Sequence, residues 1–172
     1  VGGRFANVDT NPNLLSNDDY ASIIQAGDVV TGSLRLVRNT RDLDLDPVTG
    51  GFESVSFEFG SVDANRFDLE NSERVPIPFD GTFTKSAVDL RRYFNLGTPR
   101  ANLQERKSVI AVRLRGGIAG GTLPFFEQFF VGGSESLRGY REDRFWGNNM
   151  LLASVEYRRP IAQGMSGVLF AD

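Results

Sequence analysis

The sequence predicts an all-β fold, an antiparallel transmembrane β-barrel present in part and carrying one long loop folded into its interior. Three observations predict it. About six segments alternate apolar and polar residues with a period of two, and hardly any stretch has a helical period. The second face of several segments carries Arg and Glu, which a small soluble core would not accept. Connections alternate between short and long, the pattern of barrels with tight turns on one rim and extended loops on the other.

Composition narrows the functional classes. The 172 residues, 40% hydrophobic, suit one domain. With 19 basic and 22 acidic residues the net charge of -3 leaves no electrostatic footprint for nucleic acid. The chain has no Cys and no His, which excludes disulfides, thiolate metal sites and Ser-His-Asp triads. No cofactor, no metal and no catalytic residue is expected. The longest apolar runs fall far short of the ~18 residues of a spanning helix, and no signal peptide opens the chain. A mean hydropathy of -0.24 says nothing against a barrel, whose strands alternate between lipid and interior. The chain begins at Val1 without Met and stops at Asp172 inside an apolar run. It is expected to be a piece of a longer protein.

Residues 1–6 read as the end of a preceding strand, 7–25 as an exposed loop, and 18–26 as a candidate short helix. The first full strand covers about 33–40, setting Leu34 and Leu36 against Arg35 and Val37. A turn with Pro47, Gly50 and Gly51 follows. The strand at 52–60 has the cleanest alternation, Val55, Phe57 and Phe59 against Ser54, Ser56 and Glu58. A polar connection is expected over 63–80, with Pro76 and Pro78. The strand at 83–94 places Val88, Leu90 and Phe94 opposite Lys85, Asp89 and Arg91. Arg92 falls on the apolar side, from which it can snorkel to an interface. Beyond a turn at 95–106, the strand at 108–118 sets Ile110, Val112, Leu114 and Ile118 against Arg113 and Arg115. The fifth strand, 149–159, sets Leu151, Ala153, Val155 and Tyr157 against Ser154, Glu156 and Arg158, and a turn at 162–166 leads to the sixth. All seven prolines are expected in connections or at strand ends, since Pro cannot donate to a ladder.

The long interruption at 116–147 holds the most informative motif, Phe129-Phe130-Val131-Gly132-Gly133-Ser134-Glu135-Ser136-Leu137-Arg138-Gly139-Tyr140. Unstructured connections of this length are usually functional or disordered, and the aromatics and paired glycines argue against disorder. The bland reading of Arg138 is a solvated loop Arg. Against it, Glu156 and Asp172 fall on the charged faces of the two strands that follow, and Arg offers a planar fork for carboxylates. Phe125, Phe126, Phe129 and Phe130 read as a hydrophobic plug or an interfacial girdle. Gly132-Gly133 lacks the Lys and helix of a phosphate loop. Ser134 and Ser136 lack a base. Glu142 and Asp143 read as solvated charges, and Asp42, Asp44 and Asp46 lack the remainder of a calcium loop.

Together these residues resemble the BamA-type outer-membrane assembly and translocation superfamily, also known as the bacterial surface antigen family. The run from Phe125 to Tyr140 resembles its lumen-inserted sixth extracellular loop. Arg38-Asn39-Thr40-Arg41-Asp42 resembles the eighth-strand region, Glu156-Tyr157-Arg158 with Pro160 the twelfth strand, and Phe170-Ala171-Asp172 the start of the thirteenth-strand signature, where a Gly would follow. The resemblance implies a sixteen-stranded barrel of which the chain supplies roughly strands eight to thirteen, as part of one C-terminal barrel domain without its closing strands or periplasmic repeats. It implies a loop motif of Gly132, Gly133, Leu137, Arg138, Gly139 and Tyr140, with Arg138 paired to Glu156 and Asp172 on the inner wall. It further implies an outer-membrane location in the Gram-negative envelope. The implied partners are membrane lipid, unfolded outer-membrane or secreted polypeptides, and accessory proteins of an assembly complex. Two rivals stand beside this reading: a passive pore or the barrel of a self-secreting passenger protein, and a soluble β-sandwich, glycan-binding or glycan-cleaving, with Val55, Phe57 and Phe59 in a dry core.

Overall fold

The computed structural model describes residues 1–8, 25–70, 73–102, 105–162 and 165–172. Its strands are β1 (Gly2–Val8), β2 (Gln25–Asn39), β3 (Gly50–Glu70), β4 (Glu73–Asn95), β5 (Val109–Gly121), β6 (Phe129–Val131), β7 (Phe145–Gly147), β8 (Asn149–Ala162) and β9 (Met165–Ala171). Seven of them form one antiparallel sheet in the order β1-β2-β3-β4-β5-β8-β9, and β6 pairs with β7 in a separate ribbon. Neighbours in the sheet are neighbours in sequence, apart from the loop at 122–148 inserted between β5 and β8. A single 3-10 turn, Phe125–Glu127, lies in that loop.

Alternation sorts the side chains onto two unlike faces. One row across the sheet is Leu36, Val55, Val88, Gly116 and Leu151. The adjacent row on the opposite face is Arg35, Ser56, Ala87, Gly117 and Met150. The apolar face is bare: Val55, Phe57 and Phe59 are 54%, 50% and 51% exposed. This overturns the soluble-sandwich alternative, which required that row to be buried under a second protein layer. Arg92, on the same face, pairs with Glu53, which Arg38 also approaches at 3.6 Å.

Buried apolar contact gathers instead on the other face, where the loop lies. Val29, Val62, Ala64 and Phe83 from β2, β3 and β4 enclose Leu123, with Phe79, Ala119 and Phe126 packed against them. The core is therefore made between the loop and the sheet.

Several expected boundaries are corrected. β2 begins at Gln25, eight residues before the predicted start at Ser33. The polar connection expected at 63–80 is mostly strand, because β3 and β4 run 21 and 23 residues and stay paired to Glu70 and Glu73. The sequence does alternate here, Phe67 and Leu69 and then Val75, Ile77 and Phe79, but Asn71, Ser72 and the two prolines make the run read as a connection. Three prolines thus lie inside strands: Pro76 and Pro78 in β4, and Pro160 in β8. Pairing of β4 with β5 starts only at Phe83, and pairing of β8 with β5 stops at Arg158. Each proline sits where one side of its strand has no ladder to feed, the condition that sheets set for Pro. β5 persists to Gly121, so the interruption is shorter than 116–147. β1 continues the strand end expected at 1–6 as far as Val8. Of the expected loop at 7–25 and helix at 18–26, residues 9–24 lie outside the described residues; Gln25 and Ala26 are strand.

Candidate functional site

The loop at 122–148 meets the charged face at three places. At its root, the Phe125 N–H donates to Gln25 Oε1 at 2.9 Å. Glu127, only 4% exposed, pairs with Arg4 of β1 and, at 3.5 Å, with Lys85 of β4. Phe129 then sets the end of its ring against Gly117 of β5. A Cβ at position 117 would stand 2.5 Å from the end of that ring, so only glycine permits this approach. Phe125 packs edge-on against Phe130 and Trp146, with ring centroids 5.4 and 5.6 Å apart. The four phenylalanines therefore pack within the loop and against the sheet, as the plug reading expects.

The turn at 132–140 is knitted by its own backbone. The Gly132 N–H donates to Ser136 Oγ at 2.8 Å, and Ser136 Oγ donates to the Gly132 carbonyl at 2.6 Å. The Gly133 N–H donates to the Tyr140 carbonyl at 3.2 Å and the Tyr140 N–H to the Leu137 carbonyl at 3.4 Å. Gly139 has φ of +91° with open space around it; its requirement is the left-handed backbone. Glu142 accepts the Ser134 N–H at 3.2 Å. The exposed Tyr140 ring meets Phe145 at 5.2 Å.

These bonds aim Arg138 at the sheet. Its Nε donates to Asp172 Oδ2 at 2.9 Å and its Nη2 to Asp172 Oδ1 at 2.8 Å, a two-pronged grip. Its backbone N–H donates to the same carboxylate at 3.0 Å. Nη1 reaches Glu156 Oε2 at 2.9 Å, Nη2 reaches Ser154 Oγ at 3.3 Å, and the guanidinium stacks on Phe170 at 3.6 Å. The Asp172 bonds first, then those of Glu156, raise the Arg138 pKa further above its ordinary value against the effect of burial, so the grip keeps its charge at every working pH. Glu156 is shared, since Arg158 Nε donates to its other oxygen at 2.5 Å. The structure thus brings together Arg138, Glu156 and Asp172, with Gly132, Gly133, Leu137, Gly139 and Tyr140 forming the turn that presents the guanidinium.

A third contact was only half visible in the sequence. Arg113 donates to the Glu135 carbonyl of the loop at 3.1 Å while held by Asp89, which Arg91 also grips. Parity places these groups on one face but does not connect them to the loop. Sequence reasoning missed Glu127 entirely, although an acid inside the run Phe125-Phe126-Glu127-Gln128-Phe129-Phe130 was a signal that a cation waits nearby. At the opposite rim, Asp42, Asp44 and Asp46 are each paired with arginine: Asp42 with Arg100 at 3.2 Å, Asp44 with Arg41 at 2.7 Å, and Asp46 with Arg158 at 3.6 Å.

The sequence profile of the Omp85 superfamily domain matches residues 8–172, nearly the whole chain. The chain belongs to the Omp85 superfamily. This is the family that the Leu-Arg-Gly-Tyr loop and its inward partners resemble. A curated relative is the outer membrane protein assembly factor BamA of Nitratidesulfovibrio vulgaris, 28% identical over 82% of this chain. The chain spans only 18% of that relative's length. No solved structure matches the chain. The all-β antiparallel sheet with one bare apolar face is consistent with part of a β-barrel of this superfamily.

Proposed function

We propose that the chain forms roughly strands eight to thirteen of a sixteen-stranded outer-membrane barrel, with β1 the end of the strand before them, and that the whole protein inserts barrel proteins into the outer membrane or moves polypeptides across it. In this reading the charged face lines the lumen, the apolar face meets lipid, and the loop at 122–148 is a lumen loop braced by Arg138. The work is conformational: no bond is made or broken, and no cofactor takes part. Its partners are unfolded outer-membrane or secreted polypeptides and the accessory proteins of an assembly complex. The observation that carries the proposal is the grip of Arg138 on Asp172 and Glu156, which ties the loop to two successive wall segments on the face away from the bare apolar row.

Arg138→Ala in the full-length protein tests it. The change strands Asp172 without its cation, whereas Glu156 keeps Arg158. The variant is expected to reach the membrane at near wild-type level while assembly or transport of clients falls by about tenfold or more, the scale of losing a partner from a charged network. Folding of a client barrel, followed by its heat-modifiable mobility, reads the effect. Wild-type client assembly in this variant would remove the brace. Ion conductance that persists with no client dependence in either protein would assign the barrel to a passive pore.

A further inference from the structure

Residues 134–136 of the loop do not lie flush on the sheet. Between them and strands β4, β5 and β8 is a cavity of about 260 Å³. With ~30 Å³ for each liquid water, that space holds a small solute and its hydration. Arg91, Arg113 and Arg115 stand on its wall.

One carboxylate, Asp89, serves these three cations, and it is saturated. It accepts from Arg91 Nε and Nη2 at 3.2 and 2.7 Å, and from Arg113 Nε and Nη2 at 3.1 and 2.9 Å. A carboxylate offers about four acceptor sites, and all are taken. Arg115 lies directly across from Asp89 in the strand register, yet it has no hydrogen bond or ion-pair partner among the described residues. The loop does not supply one. Glu135 also lines the cavity, but it is exposed to solvent, Arg113 holds only its backbone oxygen at 3.1 Å, and no hydrogen bond or ion pair joins its carboxylate to Arg115. The acids at the far end of the cavity, Glu156 and Asp172, are already committed to Arg138 and Arg158. Three guanidiniums against Asp89 leave a surplus of two positive charges on the sheet wall, which the solvent-exposed Glu135 across the cavity offsets in part and at a distance.

We propose that this cavity binds a phosphate-type dianion, with Arg115 and Arg113 as its donors. A compact oxyanion matches the surplus in charge, the cavity in size and the planar guanidinium forks in geometry. A free phosphate and the phosphomonoester of a lipid headgroup share this chemistry. The inference rests on the seat of the loop against the wall and not on client handling, so failure of anion binding would leave the assembly reading standing.

The test is a calorimetric titration of the full-length protein in detergent with inorganic phosphate, against chloride at matched ionic strength. Saturable one-site binding is expected. Arg115→Gln is expected to weaken it by about tenfold or more, the scale of one lost charge-assisted contact. Arg115→Lys, which keeps the charge and loses the fork, should fall between, and it stands in if the Gln variant fails to fold. Repeating the titration with glycerol phosphate separates the sources: equal affinity admits a headgroup, and weaker binding points to free phosphate, both with the site intact. No saturable binding above the chloride control, or binding unchanged in Arg115→Gln, overturns the proposal. So does phosphate binding that emerges only in Glu135→Gln, since Glu135 would then be the native partner of Arg115.

Discussion

At the root of the loop a carboxylate on the loop is buried among cations of the sheet, and at its tip a guanidinium on the loop reaches carboxylates of the wall. Glu127, the group the loop supplies at the root, sits beside the Leu123 and Phe126 cluster with a side chain 6% exposed; at the tip the wall's Asp172 is covered to the same degree, whereas the Arg138 side chain that the loop supplies remains 24% exposed. Burial decides what each anchor can contribute. A buried ion is costly unless paired, so the root is bound up with stability. A partly wet, many-pronged Arg fixes direction and contributes less to stability. The root holds the loop in the fold, and the tip determines where it points.

The largest effect is therefore expected at the root. Replacing both Arg4 and Lys85 by Ala leaves the Glu127 carboxylate buried and unpaired, at a cost of roughly 3–5 kcal/mol. The thermal midpoint of heat-modifiable mobility in the full-length protein should fall accordingly. Glu127→Gln should fall less, because the side chains of Arg4 and Lys85 are 53% and 22% exposed and can turn to water. A double variant that melts like the wild type, or a Glu127→Gln that melts lower, would break the assignment of stability to the root.

The same contrast explains what the sequence reveals. Arg138, Glu156 and Asp172 lie within 34 positions of one another, and strand parity alone places both acids on the loop's face. Arg4 and Glu127 are 123 positions apart, and no local pattern joins them. The parts of β2 to β5 and of β8 that set a bare apolar face against a charged one were legible because that contrast imposes a period of two. The outer halves of β3 and β4 were not: Phe67 and Leu69, then Val75, Ile77 and Phe79, do alternate, but Pro76 and Pro78 fill the intervening positions of β4 and imitate a loop. The β3–β4 ladder holds the strand there in spite of them.

A middle-sized effect is expected where the two anchors are joined. Gly117→Val pushes side-chain atoms into Phe129, whose ring now rests on the bare backbone. Overpacking of this kind costs about 1–3 kcal/mol. Because Phe129 follows Glu127 by two residues, the loop should lift from the middle with its root still paired. Trypsin cleavage after Arg141 and Arg144 should quicken while the thermal midpoint falls less than in the double root variant. Unchanged cleavage would show that the loop's position does not depend on that contact.

The smallest effect should come from Arg138→Lys, which asks whether charge or the planar fork holds the tip. A lysine keeps the positive charge but cannot span Asp172 Oδ1, Asp172 Oδ2 and Glu156 Oε2 together, as the guanidinium does at 2.8 to 2.9 Å. It also gives up the flat stacking on Phe170. The backbone N–H of residue 138 still reaches Asp172, and Glu127 still pins the root. The thermal midpoint should therefore barely move, while cleavage after Arg141 rises modestly and client assembly declines less than in Arg138→Ala. If Lys equals wild type in both measurements, a point charge suffices at the tip. If Lys is as poor as Ala, the fork is what the tip requires, and its role is alignment of the loop across β8 and the residue after β9.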